Sequence, residues 1–193
     1  TLYYNWKRKK LIEKIPNDFN YYLNEIFTIN RERNQKLLSE LNFLSTFFNT
    51  EGLKHVFIKG SATIISGIYH DLGERMIGDI DFIIKENQID FFKKIIDKIE
   101  YRTTTPYSFL NPRHLTKRIN KNKLFSIEAH TRVLETKSHL FDPSRIFKGS
   151  IEKNNFIVPS TIDLMLNNVY SSQINDNGYN KLSIDLRLSL IHI

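Results

Sequence analysis

The sequence contains no cysteine, and no apolar run reaches the roughly 18 residues that a membrane span requires. Without cysteine the chain can form neither a disulfide nor a thiolate metal site, and it has no cysteine nucleophile. A secretory signal pattern is also missing. We therefore expect a cytoplasmic protein that works in a reducing compartment and has no membrane partner.

Positive charge is in excess, with 28 Lys and Arg against 21 Asp and Glu and a formal net charge of +7. This balance favours phosphate-bearing partners, which include nucleotides and nucleic acids. Two basic clusters, Trp6–Lys10 and Lys117–Lys123, favour RNA slightly because phosphate contacts dominate such binding. Biased genome composition explains a basic chain equally well, so charge alone does not identify the partner.

The 193 residues are enough for one compact core with a helical appendage, and the patterns divide them into three segments. Residues 1–52 are predicted to form a helical segment that packs on the core, with a break near Asn30 and an end at Gly52. Residues 53–150 are predicted to form the core. Residues 151–193 are predicted to be helical, with Ser160 as a cap and a last helix over Lys181–Ile193. The chain starts with Thr1 rather than Met, which fits a fragment of a longer protein and a trimmed chain equally well.

Strands and helices alternate in the middle segment. Strands are predicted at His55–Ile58, Asp79–Ile84, Tyr101–Leu110 and Leu124–Val133. Helices are predicted from Ser61, which can act as an N-cap, and over Gln88–Ile99; residues 134–159 are predicted to be irregular. The order predicts an α/β (α+β) fold, with a small mixed sheet flanked by helices, an N-terminal helix and a C-terminal helical tail.

Asp79 and Asp81 are two residues apart on a predicted strand, so their carboxylates point to the same face while Ile80 and Phe82 enter the core. Adjacent carboxylates repel each other unless a cation neutralises them. Mg²⁺ commonly binds one or two carboxylates together with substrate phosphates. The simpler interpretation is a solvated strand edge, because Asp-x-Asp often occurs by chance.

Lys59, Gly60 and Ser61 form a predicted turn between a strand and a helix. Glycine allows close approach of a phosphate, and the free N–H groups of a helix N-terminus attract it. A capped turn without a ligand is the alternative. Arg75, in the loop before the aspartates, can bind a triphosphate or neutralise Asp79.

Glu128 lies within a predicted strand, with His130 on the same face. It can complete a metal site or act as the general base on an acceptor hydroxyl. His130 can position Glu128 or contact substrate, although a strand histidine is often structural. His114, Lys117 and Arg118 are further candidate charge partners for phosphate.

Together these motifs resemble the nucleotidyltransferase superfamily related to DNA polymerase beta, and most of all its poorly characterised bacterial members. The residues that carry the resemblance are Lys59-Gly60-Ser61, Arg75, Gly78-Asp79-Ile80-Asp81 and Glu128-Ala129-His130. The nucleotidyltransferase toxins of abortive-infection and toxin–antitoxin systems are also similar. Ser61 and His130 favour the first group.

The resemblance implies a two-metal enzyme that transfers an NMP group from ATP or another NTP to an acceptor hydroxyl and releases pyrophosphate. By resemblance, Asp79, Asp81 and Glu128 are the catalytic and metal-binding residues for Mg²⁺ or Mn²⁺. The nucleotide-binding residues that it implies are Lys59, Gly60, Ser61, Arg75 and His130. The acceptor, which the sequence does not identify, is a small molecule, a protein or RNA.

Other function classes stay open on the sequence alone. The same fold can serve as an inactive module that binds a nucleotide or RNA, or as a toxin-type nucleotidyltransferase acting on RNA. A helical interaction protein with an accidental Asp-x-Asp is a third alternative. Retention of all three acids favours the enzyme.

Overall fold

A computed structural model describes residues 2–104, 113–134 and 142–175 of the chain. The helices are α1 Leu2–Arg8, α2 Asn17–Glu51, α3 Lys59–Ile65, α4 Ile89–Ile96, α5 Pro143–Lys148 and α6 Thr161–Tyr170. The strands are β1 His55–Phe57, β2 Asp79–Ile84, β3 Arg102–Thr103, β4 Arg118–Ile119, β5 Ser126–His130, β6 Ser150–Lys153 and β7 Phe156–Pro159. Short 3-10 helices lie at Ile12–Lys14, Leu72–Glu74, Glu86–Gln88 and Asp97–Ile99, and a π-helical turn spans Ser171–Asn175.

The central sheet has five strands in the order β1-β2-β5-β4-β3. Strands β2 and β5 are parallel, whereas the other neighbouring strands are antiparallel. In the parallel pair Asp81 lies opposite Glu128, and Asp79 lies opposite Ser126. The mixed sheet with flanking helices confirms the predicted α/β class and brings the candidate acids onto adjacent strands.

Helix α2 supplies one wall of the core. Leu37, Leu41, Leu44 and Phe48 recur at helical spacing and are fully buried. The break predicted near Asn30 is wrong, because α2 is continuous from Asn17 to Glu51. The helix ends as predicted at Gly52, which has a φ of 78° and is in the left-handed region that glycine adopts easily.

The start of α3 corrects a second prediction. The helix begins at Lys59, so Lys59-Gly60-Ser61 is its first turn rather than a loop, and Ser61 is not the N-cap. Ser61 is fully buried, and its Oγ accepts a hydrogen bond of 3.2 Å from the backbone N–H of Asp81. This hydroxyl therefore ties α3 to β2, and phosphate binding by Ser61 stays a prediction.

Residues 134–159 are not irregular as predicted, because the described part contains α5 and a β6–β7 hairpin. Asp142 caps α5 by accepting a hydrogen bond of 2.9 Å from the backbone N–H of Ser144. The hairpin turns at Asn154 and Asn155, which both have positive φ, as a tight two-residue hairpin turn requires. The Asp142 cap therefore explains the start of α5, and the two asparagines explain the turn of the β6–β7 hairpin.

The predicted helix at Lys181–Ile193 and the second half of the predicted strand at Tyr101–Leu110 lie outside the described residues. Among the helices that the structure describes, including the 35-residue α2, none combines the length and apolar character needed to cross a bilayer. The predicted division at residues 52 and 150 stays a prediction.

Candidate active site

Three carboxylates meet on one face of the parallel β2–β5 pair. Asp79 and Asp81 project from β2 towards Glu128 on β5, because residues two apart on a strand share a face. The intervening residues, Ile80 and Ile127, point the other way into the core. The paired strands thus concentrate three negative charges at a single edge of the hydrophobic core.

Asp81 lies at the buried centre of this group, with only 4% of its surface exposed. Its Oδ1 accepts hydrogen bonds of 2.7 Å from Lys59 Nζ and 2.7 Å from His130 Nε2. Lys59 Nζ also lies 3.3 Å from His130 Nε2. Lys59 has a φ of 51°, an uncommon conformation for a residue other than glycine, and its ion pair with Asp81 holds it in place.

The protonation states of this cluster follow from burial and contact. Burial opposes ionisation of Asp81, but hydrogen bonds and charge from His130 and Lys59 outweigh it and lower the pKa of Asp81 to about 2. Burial lowers the pKa of His130 to about 4 despite its bond to Asp81. At neutral pH, Asp81 is therefore a carboxylate and His130 a neutral imidazole, which are the forms that coordinate metal.

Lys117 joins the other two carboxylates. Its Nζ lies 3.2 Å from Asp79 Oδ2 and 3.1 Å from Glu128 Oε1. Burial and the charges of Asp81 and Glu128 raise the pKa of Asp79, while Lys117 opposes the rise. Lys117 thus acts as the local counter-ion of Asp79 and Glu128.

The antiparallel pairing of β4 with β5 explains how Lys117 reaches the site. Arg118 on β4 pairs with Ile127 on β5, so the preceding Lys117 lies beside Glu128. Arg118 itself is not in the site, because its guanidinium bonds Asp97 Oδ1 at 2.8 Å. The His114 ring packs edge-on against His130, with 5.2 Å between ring centroids.

The donor set of the cluster fits a divalent metal ion. Asp81, Glu128 and His130 each offer a ligand atom, and these atoms lie within 4.8 Å of one another. Carboxylate oxygens suit Mg²⁺ and Mn²⁺, and a neutral imidazole can add a nitrogen ligand. The set predicted from the sequence was Asp79, Asp81 and Glu128, whereas the structure groups His130 with two of these acids and pairs Asp79 with Lys117.

A pocket of about 200 Å³ opens next to the acids. Its lining includes Asp79, Asp81, Lys59, Gly60, Arg75 and Arg113. A Cβ atom on Gly60 would lie 3.1 Å from Ile77 Cγ2, so glycine is the residue that fits this wall without displacement. The cavity is thus lined by five of the residues predicted for nucleotide binding or catalysis: Lys59, Gly60, Arg75, Asp79 and Asp81. Ser61 is not part of its lining.

Arg75 is held at the pocket by the loop that precedes β2. Its Nη1 donates a hydrogen bond of 2.9 Å to Tyr69 Oη, and in the described part of the chain it makes no ion pair with Asp79. Asn34 of α2 donates to the backbone oxygens of Leu72 and Arg75 at 2.6 Å each. The buried asparagine of α2 therefore fixes the position of Arg75 through its backbone.

A second anchor of this loop is the pair of bonds between Arg31 and Asp71. Arg31 Nε and Nη2 donate to the two oxygens of Asp71 at 2.9 and 2.6 Å. Asp71 and Glu74 also form a capping box around the 3-10 turn. Gly73 lies so close to Phe27 of α2 that an added Cβ would be 2.5 Å from the Phe27 oxygen.

Sequence reasoning missed Arg113 and treated Lys117 only as a remote candidate. Neither lies in a motif, and each reaches the site through backbone pairing with β5 or the residue that follows it. The sequence held one signal for Lys117. A basic turn directly precedes the strand pattern of Leu124–Val133, in which side chains of alternating character recur. No sequence signal indicated that Arg113 enters the pocket.

Residues 1–170 match the model of a protein family described as uncharacterised nucleotidyltransferase. No curated protein gives a significant match to the chain. A crystal structure of a candidate nucleotidyltransferase from Thermotoga maritima is similar, with 15% identity and a TM-score of 0.47 over 78% of this chain and 95% of that one.

Proposed function

The chain belongs to this family of uncharacterised nucleotidyltransferases, and from that premise we propose that it transfers an NMP group from an NTP to an acceptor hydroxyl and releases pyrophosphate. The observation that carries the proposal is the convergence of Asp79, Asp81 and Glu128 beside a cation-lined pocket. This arrangement combines acidic groups for a metal with basic groups for phosphates.

Asp81, Glu128 and His130 would hold the divalent ion, Mg²⁺ or Mn²⁺. When bound, such an ion neutralises charge on the transferring phosphoryl group. Contacts with His130 and Lys59 lower the pKa of Asp81 and keep it ionised, and burial keeps His130 neutral at neutral pH. A metal bound at His130 Nε2 would take the place of the hydrogen bond to Asp81, with the imidazole proton then on Nδ1.

Glu128 has a second role in the proposal. The acceptor oxygen attacks the α-phosphorus, the bond from that phosphorus to the β-phosphate oxygen breaks, and pyrophosphate leaves. The hydroxyl proton passes to a carboxylate oxygen of Glu128, whose side chain is 13% exposed and within reach of a substrate entering the site. Lys117 at Oε1 holds the carboxylate in orientation.

Lys59, Gly60 and Arg75 are proposed to receive the phosphates. Gly60 lines the pocket wall where a larger residue would crowd Ile77, and Arg75 carries a positive charge that is hydrogen-bonded only to a tyrosine hydroxyl among the described residues. A two-metal mechanism would also need Asp79, and Lys117 competes for that carboxylate.

We also propose a cytoplasmic location, in line with the lack of cysteine.

The test is incubation of the protein with each α-labelled NTP, Mg²⁺ or Mn²⁺, and a cell extract. We expect label to enter one metabolite, protein or RNA, and pyrophosphate to be released in proportion. The matched control is Asp81→Asn, which keeps the size and a hydrogen-bonding group but removes the charge. We expect it to fold and to lose transfer.

The proposal fails if no NTP yields more pyrophosphate with the wild-type protein than with Asp81→Asn. Metal-dependent NTP binding without pyrophosphate release would instead indicate a binding module. Label found in RNA alone would indicate an RNA-directed enzyme.

A further inference from the structure

The half-buried side chain of Arg113 lines the pocket beside Asp79 and Asp81. Its Nε and Nη1 are inaccessible to solvent and have no hydrogen-bond partner among the described residues. A buried donor without an acceptor is unfavourable, and more so when the group is charged. An anionic acceptor bound in the pocket would therefore satisfy these donors and remove the unfavourable free energy.

The backbone of Arg113 is anchored beside the end of β5. Its carbonyl oxygen accepts hydrogen bonds from the N–H groups of Thr131 at 2.9 Å and Arg132 at 3.3 Å. The next residue, His114, forms a bridge to His130. The guanidinium thus starts from a fixed position next to the candidate metal ligands.

The other basic groups near the acids already have partners. Lys59 bonds Asp81, Lys117 lies between two carboxylates, and Arg75 donates to the hydroxyl of Tyr69. Arg113 differs because two of its guanidinium nitrogens, Nε and Nη1, have no protein acceptor in the part of the chain that the structure describes. A ligand that draws these nitrogens towards the pocket therefore breaks no hydrogen bond that they already make.

We propose that Arg113 binds the β- and γ-phosphates of the NTP and then the leaving pyrophosphate, which rests on the proposed function. A guanidinium offers a planar fork of donors that matches two phosphate oxygens. It lies on the same pocket as the carboxylates, so it can meet the charge that develops as the α-phosphorus–oxygen bond breaks.

The size of the pocket fits the polyphosphate part of an NTP better than a whole nucleotide. The cavity of about 200 Å³ is smaller than the roughly 300–1,000 Å³ that encloses a drug-sized ligand. Asp79 and Asp81 on its wall repel an anion unless a cation lies between them and the phosphates. Binding at Arg113 is therefore expected to require a divalent ion.

The test measures binding of inorganic tripolyphosphate by calorimetry, with and without Mg²⁺, so that no nucleoside or transfer step contributes. We expect metal-dependent binding to the wild-type protein and a loss of at least about tenfold in Arg113→Gln, because hydrogen bonds between charged groups are the strong ones. Arg113→Lys keeps the charge without the fork and should lie between the two. Arg102→Ala is the matched control, because Arg102 is exposed and pairs with Asp97 rather than lining the pocket.

Far-ultraviolet circular dichroism and thermal unfolding check the fold of each variant, and Arg113→Lys decides the matter if Arg113→Gln does not fold. Wild-type protein that does not bind tripolyphosphate, or a folded Arg113→Gln that binds it within twofold of wild type, overturns the inference; if Arg113→Gln does not fold, Arg113→Lys that binds as tightly as wild type overturns it. Tripolyphosphate binding that depends on Arg113 supports it even if no NTP is transferred, a result that would contradict only the proposed function.

Discussion

Replacement of Lys117 by alanine is expected to tighten the binding of divalent metal at the acidic cluster. In the present structure Lys117 Nζ lies between Asp79 Oδ2 at 3.2 Å and Glu128 Oε1 at 3.1 Å. A metal ion that uses Glu128 or Asp79 has to compete with this ammonium group for the same oxygens. Alanine removes the competitor and its repulsion of a second cation.

The magnitude follows from the exposure of the pair. The Lys117 side chain is 41% exposed, so solvent screens both contacts, and each is worth about 0.2–1 kcal/mol. Two such contacts total roughly 0.4–2 kcal/mol, and each 1.4 kcal/mol is about tenfold in affinity. We therefore expect the dissociation constant for Mn²⁺ to fall by roughly twofold to thirtyfold in Lys117→Ala.

Electron paramagnetic resonance of free Mn²⁺ during a titration gives both affinity and stoichiometry. Lys121→Ala is the matched control, because Lys121 is exposed in the turn of the same hairpin and its loss changes the net charge equally. We expect the control to bind as wild type does. Weaker binding in a folded Lys117→Ala, or an equal gain in both variants, would refute the idea that Lys117 competes with metal for these carboxylates.

Two further predictions concern the loop that delivers Arg75 to the pocket. Gly73→Ala should lower the free energy of unfolding by about 1–3 kcal/mol, as measured by denaturant titration, because its Cβ would overlap Phe27; unchanged stability would contradict this packing. The bonds from Arg31 lower the pKa of Asp71, so its ionised form stabilises the fold above the ordinary carboxyl pKa of about 3.9, and this contribution is lost as the pH falls through the lowered value. Asp71→Asn should thus lower the free energy of unfolding by about 1 kcal/mol or less at pH 7, a small value because Arg31 is 43% exposed and solvent screens the pair. If the stability difference between the variant and wild type does not shrink in acid, the linkage is contradicted.

Short-range patterns in the sequence were enough to predict the face that carries the acids. Strand alternation places Asp79 and Asp81 together and sends Ile80 to the core, because the period of two is a local property of a strand. That Glu128 lies opposite Asp81 depends on the parallel pairing of two strands far apart in the sequence. The family resemblance grouped Glu128 with the two aspartates, but neither it nor the local pattern predicted the pairing.

Contacts made by tertiary structure were not predictable from local rules. The helix break predicted near Asn30 is wrong, because Asn30 is a buried residue of a continuous α2. Its neighbour on the same face, Asn34, bonds the loop that carries Arg75. Ser61 has the residue type of an N-cap, yet the helix starts two residues earlier and its hydroxyl faces β2. Capping preferences describe free helix ends, whereas the strand packed against α3 decides which end is used here.

The most direct test of the metal site is a crystal structure of the protein with Mn²⁺ and a non-hydrolysable NTP, with the ion located by anomalous scattering. We expect an ion within about 2.0–2.6 Å of oxygens from both Asp81 and Glu128 and in contact with the triphosphate. An ion bound elsewhere, or a triphosphate located away from these two carboxylates, would contradict the account.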